Sequence, residues 1–262
     1  MELPQNFIYD KRLGQNFLRD PGLLQAIVRD AGVTADDLVV EVGAGAGTLT
    51  ARLCEAAGGV VSYEIDRRLQ PVLAALQAQY PRLQVIFGDF LGKDVRLPTG
   101  AYKAVANLPY YITAPVLFAF AESVNPPVSM TVMVQYEVAR RLTADADTPA
   151  YGAMTATLGL QYTATLTRKV DRRLFFPVPN VDSAVVRLDK HTLYDGYVGK
   201  AARVIRAAFC QRRKTLANAL TAGLSIDKAA VTAAAEACGI SPSVRGETLT
   251  PAQFVALAKQ LV

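Results

Sequence analysis

Cysteine and histidine are scarce in this chain, and no long apolar run is present. Cys54, Cys210 and Cys238 form no Cys-x-x-Cys pair and leave an odd count, which argues against a disulfide framework and a structural zinc. None of the three follows a proline, so the cysteine nucleophile of cytosine C5 methyltransferases is disfavoured. The single histidine, His191, sits between Lys190 and Thr192 in a predicted linker and reads as a solvated loop residue. A metal site or a histidine-based triad therefore lacks its raw material. No stretch of about 18 apolar residues exists to span a membrane. The first twenty residues carry Glu2, Asp10 and Asp20 and lack an apolar signal core, so no targeting segment is readable. The expectation is a cytoplasmic protein with no membrane partner.

What is present suits a packed globular protein of one large domain, or of one domain and a smaller second. The 262 residues are 51% hydrophobic and 19% charged, which excludes global disorder. A net charge of +5 and a sequence pI of about 9.1 point weakly to a polyanionic partner. Short apolar, β-branched runs alternate with helical patterns through the first two-thirds of the chain. Strands are predicted over residues 38–42, 60–64, 83–87, 102–106, 128–135, 162–169 and 183–188. Helices are predicted over 20–31, 48–57, 67–80, 114–122 and 137–142. Only a loop separates the last two strands, so the sheet should end in an antiparallel hairpin. This α/β layout is typical of a class I methyltransferase: Rossmann-like, with a mostly parallel seven-stranded sheet. Residues 196–262 instead carry Ala and Leu at helical spacing, punctuated by Gly239, Pro242, Gly246 and Pro251. The expected division is a methyltransferase domain over 1–190 and a small all-helical, RNA-binding domain over 191–262.

The chemistry gathers at predicted strand ends. Val39 to Thr48 reads as a strand, a turn with Gly43, Gly45 and Gly47, and a helix start. Such glycines let the backbone approach a ligand closely. Glu64 ends the next strand, at about the 20-residue offset where a carboxylate meets ribose hydroxyls. A nicotinamide enzyme and a methyltransferase both fit this far. The spacing G-x-G-x-x-G fails in both registers, because its last glycine would fall on Thr48 or Thr50, and Glu41 suits a cationic ligand better than a pyrophosphate. Gly88-Asp89-Phe90 closes the third strand, offering an acceptor for an adenine amino group and a ring to cover it. The alternative for that tripeptide is a plain turn.

Asn107-Leu108-Pro109-Tyr110 follows an apolar strand and suits a flipped adenine. The exocyclic amine of adenine is a poor nucleophile because its lone pair is delocalised into the ring. Asn107 and the Leu108 carbonyl can accept its two hydrogens and localise that pair, while Tyr110 stacks on the base. Upstream, residues 11–18 combine two cations, two amides and Phe17. Phe17 reads as packing and Asn16 as a cofactor contact. Phe175-Phe176-Pro177-Val178-Pro179 lies in the terminal hairpin loop, where the prolines should keep the rings out of a strand. Phe175 is placed as the second face of the base stack, with burial of both rings as the alternative. Basic residues cluster at Arg206, Arg212, Arg213 and Lys214, and at Arg168, Lys169, Arg172 and Arg173, as a surface for RNA phosphates.

KRLGQNFLRD (11–20), VEVGAG (40–45), YEID (63–66), GDF (88–90), NLPY (107–110), FFPVPNVDSAVV (175–186) and FCQRRKTL (209–216) together resemble the bacterial small-subunit ribosomal RNA adenine dimethyltransferases, the KsgA family. The resemblance implies S-adenosyl-L-methionine as cofactor, dimethylation of adenines near the 3′ end of 16S rRNA during subunit biogenesis, and a monomer acting on a partly assembled small subunit. Carried over by motif, Asn16, Leu18, Gly43, Gly45, Glu64, Asp89, Phe90 and Asn107 would hold the cofactor. Asn107, Leu108 and Tyr110 would serve catalysis. Gly246 stands where the family often has alanine, and Ala44 and Ala46 where some relatives have bulkier residues or proline. Two alternatives share the scaffold: a large-subunit rRNA dimethyltransferase conferring macrolide resistance, and a non-catalytic nucleic-acid-binding factor. Intact Glu64, Asp89 and Asn107 weigh against the second; residues 209–216 and 245–254 favour the small subunit over the first.

Overall fold

A computed structural model describes residues 7–10, 13–93, 95–211 and 213–262. The order begins with a two-residue strand β1 (Phe17–Leu18) and helix α1 (Pro21–Asp30). Asp20 caps α1, accepting from the Leu23 N–H at 2.6 Å, and Pro21 fits the first turn, where no donor is needed. Then come β2 (Leu38–Val42), α2 (Thr48–Ala56), β3 (Gly59–Glu64), α3 (Gln70–Gln79), β4 (Leu83–Phe87), β5 (Lys103–Asn107), α4 (Thr113–Ala121), β6 (Ser129–Gln135) and α5 (Tyr136–Leu142). After α6 (Ala153–Leu158) follow β7 (Tyr162–Val170), β8 (Phe175–Phe176) and β9 (Ser183–Lys190).

Seven strands form one sheet in the order β4-β3-β2-β5-β6-β9-β7. Parallel ladders join β4 to β3, β3 to β2, β2 to β5 and β5 to β6, and β9 runs antiparallel to β6. The strand order reverses between β2 and β5, which opens a crevice at their carboxyl ends. β2 delivers the glycine turn to that crevice and β5 delivers Asn107. Val39, Val40, Val105 and Met133 are fully buried, as expected of strands covered on both faces.

Two expectations fail here. β8 does exist: Phe17 pairs with Phe176 and Leu18 with Phe175 in an antiparallel ribbon. Pro177 and Pro179 come after the ladder, so they end it without removing a donor that it needs. His191 is half-buried, not solvated: its N–H donates to the Gln161 carbonyl at 2.8 Å and its ring meets Tyr194 edge-on at 5.6 Å.

The described residues fall into two compact units, and the division is not the linear one expected. Thr165–Asp189 joins the residues up to Ala139, whereas Arg140–Ala164 joins Lys190–Val262. Helices α7 (Val198–Cys210), α8 (Leu216–Leu224), α9 (Lys228–Ala237) and α10 (Pro251–Leu261) build the second unit. The segment before β7 belongs with them because its apolar side chains have their partners there. Tyr151, Ala156 and Leu160 share a core with Val204, Leu220 and Phe254, and the Tyr151 hydroxyl donates to the Leu249 carbonyl at 2.8 Å. Gly246 is required as glycine: a Cβ would come within 2.9 Å of Ala208 Cβ. No helix among the described residues is long and apolar enough to cross a membrane.

Glu41 interrupts the apolar run of β2 and is 1% exposed. Its Oε2 accepts from the hydroxyls of Thr50 and Ser62, both at 2.6 Å, while Oε1 has no donor among the described residues. Burial pushes the Glu41 carboxyl up to about 7, against those two hydroxyls, with Glu64 adding like-charge repulsion. The folded state therefore binds this proton more tightly than the unfolded chain. The resulting stability is complete below about pH 4.5 and is lost as pH rises through about 7. Between about pH 5 and pH 8, Glu41→Gln should gain roughly 3 kcal/mol in urea-unfolding free energy relative to the unsubstituted protein. An equal difference at both pH values would contradict this.

Candidate active site

The crevice is a cavity of about 260 Å³, lined entirely by residues of the first unit. Its volume lies near the lower end of the range for small-molecule pockets. Two carboxylates line it, Glu64 and Asp89, and among the described lining residues there is no lysine or arginine. That balance favours a ligand carrying positive charge over a phosphorylated one.

The glycine turn after β2 is shaped by positive φ at Gly43 (+82°), Gly45 (+57°) and Gly47 (+75°). Gly45 is the most constrained, because a Cβ there would lie 2.8 Å from the Phe17 ring. Its N–H donates to Glu64 Oε2 at 2.7 Å, and the Asp66 N–H donates to Glu64 Oε1 at 2.8 Å. Glu64 is 6% exposed. Burial raises its pKa, and the N–H groups of Asp66 and Gly45 pull it back. A carboxylate accepts about four hydrogen bonds, so Glu64 retains capacity for a further donor beyond its backbone N–H partners. Asp89 is exposed at the turn after β4, where Oδ1 accepts from the Leu91 N–H at 2.9 Å. Phe90 lines the cavity but is buried against Tyr63 and Phe120, with centroids 5.2 and 4.8 Å away. Glu41, expected to suit a cationic ligand, is not part of the lining; Thr50 and Ser62 hold it inside the sheet.

Asn107 ends β5 half-buried, and its Nδ2 points to the Asn16 carbonyl at 3.4 Å. That contact sets the amide so that Oδ1 remains an acceptor. Leu108 is buried, with its N–H donating to the Met133 carbonyl at 3.2 Å. The Tyr110 hydroxyl lies 2.8 Å from the Ser183 hydroxyl, and burial raises the Tyr110 pKa. This anchor fixes the phenol at one end and leaves the ring at the cavity wall, which Phe175 also lines. Tyr111 also lines the cavity, packing on Gly14, where a Cβ would lie 3.3 Å from its ring and from Pro109.

The segment before α1 closes one side. Leu18 is buried in the cavity wall, and Asn16 turns its own Nδ2 to the Gly14 carbonyl at 3.2 Å. Phe17 packs, as expected, with its ring against Gly45. The sequence reading missed the latch. Gln15 Nε2 donates to Asp66 Oδ2 at 2.7 Å, Asp66 receives Arg68 on both oxygens, and Gln15 Oε1 accepts from the Asp10 N–H at 2.8 Å. Gln15 and Asp66 stand inside the motifs at 11–20 and 63–66, but nothing in sequence spacing pairs them. Ser183 was likewise missed.

The cation clusters divide by partner. Arg168 forms two hydrogen bonds to Asp30 at 2.6 and 2.7 Å, Lys169 pairs with Asp182 at 3.0 Å, and Arg173 with Asp171 at 2.6 Å. Arg172 donates to the Asn180 carbonyl at 3.0 Å. In the second unit, Arg206, Arg213 and Lys214 are exposed, as is Arg203 one turn before Arg206, and none has a carboxylate partner among the described residues. Arg212 lies outside the described residues.

Residues 6–262 match the ribosomal RNA adenine dimethylase family. A Streptococcus agalactiae protein named ribosomal RNA small subunit methyltransferase A is 42% identical over 236 residues, covering 85% of this chain and 81% of its own. Among solved structures, a dimethyladenosine transferase from Plasmodium falciparum aligns with a TM-score of 0.78 at 25% identity, over 92% of this chain and 95% of that one. The 23S rRNA methyltransferase ErmE aligns with a TM-score of 0.75 at 29% identity, over 94% and 99%.

Glu64→Ala removes the buried carboxylate and strands two N–H donors, so affinity for S-adenosylmethionine should fall by roughly 1 to 3 kcal/mol. Calorimetry should show a smaller loss for Asp89→Ala, whose carboxylate is solvated. Wild-type affinity in Glu64→Ala would remove Glu64 from the ligand's contacts.

Proposed function

This chain belongs to the ribosomal RNA adenine dimethylase family, and on that premise we propose that it dimethylates adenines near the 3′ end of small-subunit rRNA in the cytoplasm. Its substrate on this reading is a partly assembled small subunit, and it acts as a monomer. The observation that carries the reading is one cavity holding two acids and, among its described lining residues, no lysine or arginine, together with an Asn107 amide whose oxygen is left to accept. The small-subunit assignment is supported by the 42% identity to a relative named for that subunit.

The residues present fit S-adenosylmethionine. Glu64 has acceptor capacity left for a ribose hydroxyl, Asp89 is an acceptor for an adenine amine, and the acidic lining suits a sulfonium and an ammonium. Asn16, Leu18, Gly43, Gly45 and Phe90 complete that contact set. When bound, the cofactor supplies a methyl group made electrophilic by its sulfonium.

The chain's own task is to hold the target amine in line and make its lone pair available. Asn107 Oδ1 and the Leu108 carbonyl accept the two amine hydrogens, which favours a tetrahedral nitrogen. Asn16 keeps the Asn107 amide in the required sense. Tyr110, fixed through Ser183, stacks on the extruded base, and Phe175 walls the other side. Methylation leaves a cationic amine that loses its proton to water, so no dedicated general base is required. Arg203, Arg206, Arg213 and Lys214, which have no carboxylate partner among the described residues, support phosphate contact by the helical unit, with Arg212 as a further candidate by sequence. Arg172 and Arg173 keep N–H donors beyond those held by Asn180 and Asp171, so they remain candidates for phosphate contact.

With saturating small-subunit particles that lack the modification, Asn107→Ala should lower kcat by roughly 100-fold or more while changing the KM for RNA little. Mass spectrometry of the product of the unsubstituted enzyme should show dimethyladenosine in small-subunit rRNA. Near wild-type turnover would demote Asn107 to a structural role, and label in large-subunit rRNA would reassign the substrate.

A further inference from the structure

The β1–β8 ribbon sends its side chains to two faces. Leu18 and Phe175 form one cross-strand pair, buried and lining the cavity. Phe17 and Phe176 form the other. Phe17 is seated against Gly45 and reaches the cavity lining, whereas Phe176 is outside that lining and 44% exposed. Tyr9 bridges the two rings, lying 5.6 Å from Phe17 and meeting Phe176 nearly edge-on at 5.3 Å and 72°.

Arg19 completes this group. Its guanidinium carbon lies 4.2 Å from the centre of the Phe176 ring, and Nη2 donates to the Tyr9 hydroxyl at 3.3 Å. Arg19 is exposed and, among the described residues, has no carboxylate partner. Arg168 and Arg173 each have one, whereas Arg19 is a cation held in place by aromatic contacts with its charge still available.

An enzyme that extrudes one base from an RNA strand leaves the adjoining base without its stacking neighbour. A planar guanidinium on an aromatic ring replaces that neighbour whatever the base, and its charge meets the adjoining phosphate. Phe176 follows directly on Phe175, which walls the cavity, so the exposed group begins where the cavity wall ends. We propose that Arg19 and Phe176, supported by Tyr9 and Phe17, form a stacking site for the unpaired nucleotide next to the target adenine. The proposal rests on the RNA adenine reading given above.

The test compares steady-state methylation of unmodified small-subunit particles by the unsubstituted enzyme, Phe176→Leu, Phe176→Tyr and Arg19→Gln. Calorimetric affinity for S-adenosylmethionine is measured on the same preparations. Phe176→Leu and Arg19→Gln should each raise the KM for RNA roughly 5- to 100-fold, the range implied by one lost base stack. Their kcat at saturating RNA and their cofactor affinity should stay within about two-fold, and Phe176→Tyr should restore the KM because the ring is kept. An unchanged KM in both variants overturns the proposal, as does a rise that Phe176→Tyr fails to restore. Cofactor affinity falling in step with RNA affinity also overturns it, by showing that the ribbon only shapes the cavity. If the unsubstituted enzyme does not methylate the particles, the functional reading itself fails; turnover with an unmoved KM removes the stacking site alone.

Discussion

Glu64 is the residue on which the site depends. It is nearly inaccessible to solvent, ends β3, and is held by the N–H groups of Gly45 and Asp66. The first bond ties it to the glycine turn after β2. The second joins it to Asp66, which receives Gln15 from the N-terminal segment. One buried carboxylate thus connects the turn, the strand end and the segment that closes the cavity. An isolated buried charge is costly, and two backbone donors offset only part of that cost. The remaining acceptor capacity is what a polyhydroxylated, positively charged ligand can satisfy.

The parts legible in the sequence were those fixed by local pattern. Apolar runs ending in Glu64, Asp89 and Asn107 identify parallel strands, and ligands in such sheets gather at carboxyl ends. Glycines at 43, 45 and 47 announce a turn with positive φ. Pairings across the chain were not legible. The β1–β8 ribbon is two residues per strand, too short for any periodicity, and its partners are about 160 residues apart. Gln15 with Asp66 and Tyr110 with Ser183 are single hydrogen bonds across 51 and 73 positions. Residues 140–164 went to the wrong unit because a linear boundary cannot express an inserted segment whose core lies downstream.

Charge was misread for a related reason. A sequence shows how many cations cluster but not which of them already have partners. Asp30, Asp171 and Asp182 pair with three of the four basic residues around β7, whereas Arg203, Arg206, Arg213 and Lys214 have no carboxylate partner among the described residues. Glu41 was misassigned in the same way: it lies next to the glycine turn in sequence, yet its side chain turns into the sheet toward Thr50 and Ser62. Proximity along the chain located the turn correctly and the carboxylate incorrectly, because side chains alternate across a strand.

The central claim is that a cavity with two carboxylates and, among its described lining residues, no lysine or arginine selects a positively charged nucleoside ligand. Titration calorimetry of the unsubstituted protein with S-adenosylmethionine and, separately, with NAD tests it most directly. The account predicts saturable binding of S-adenosylmethionine and none of NAD at the same concentrations, because two carboxylates and, among the described lining residues, no lysine or arginine disfavour a pyrophosphate. NAD binding equal to or tighter than that of S-adenosylmethionine would contradict it.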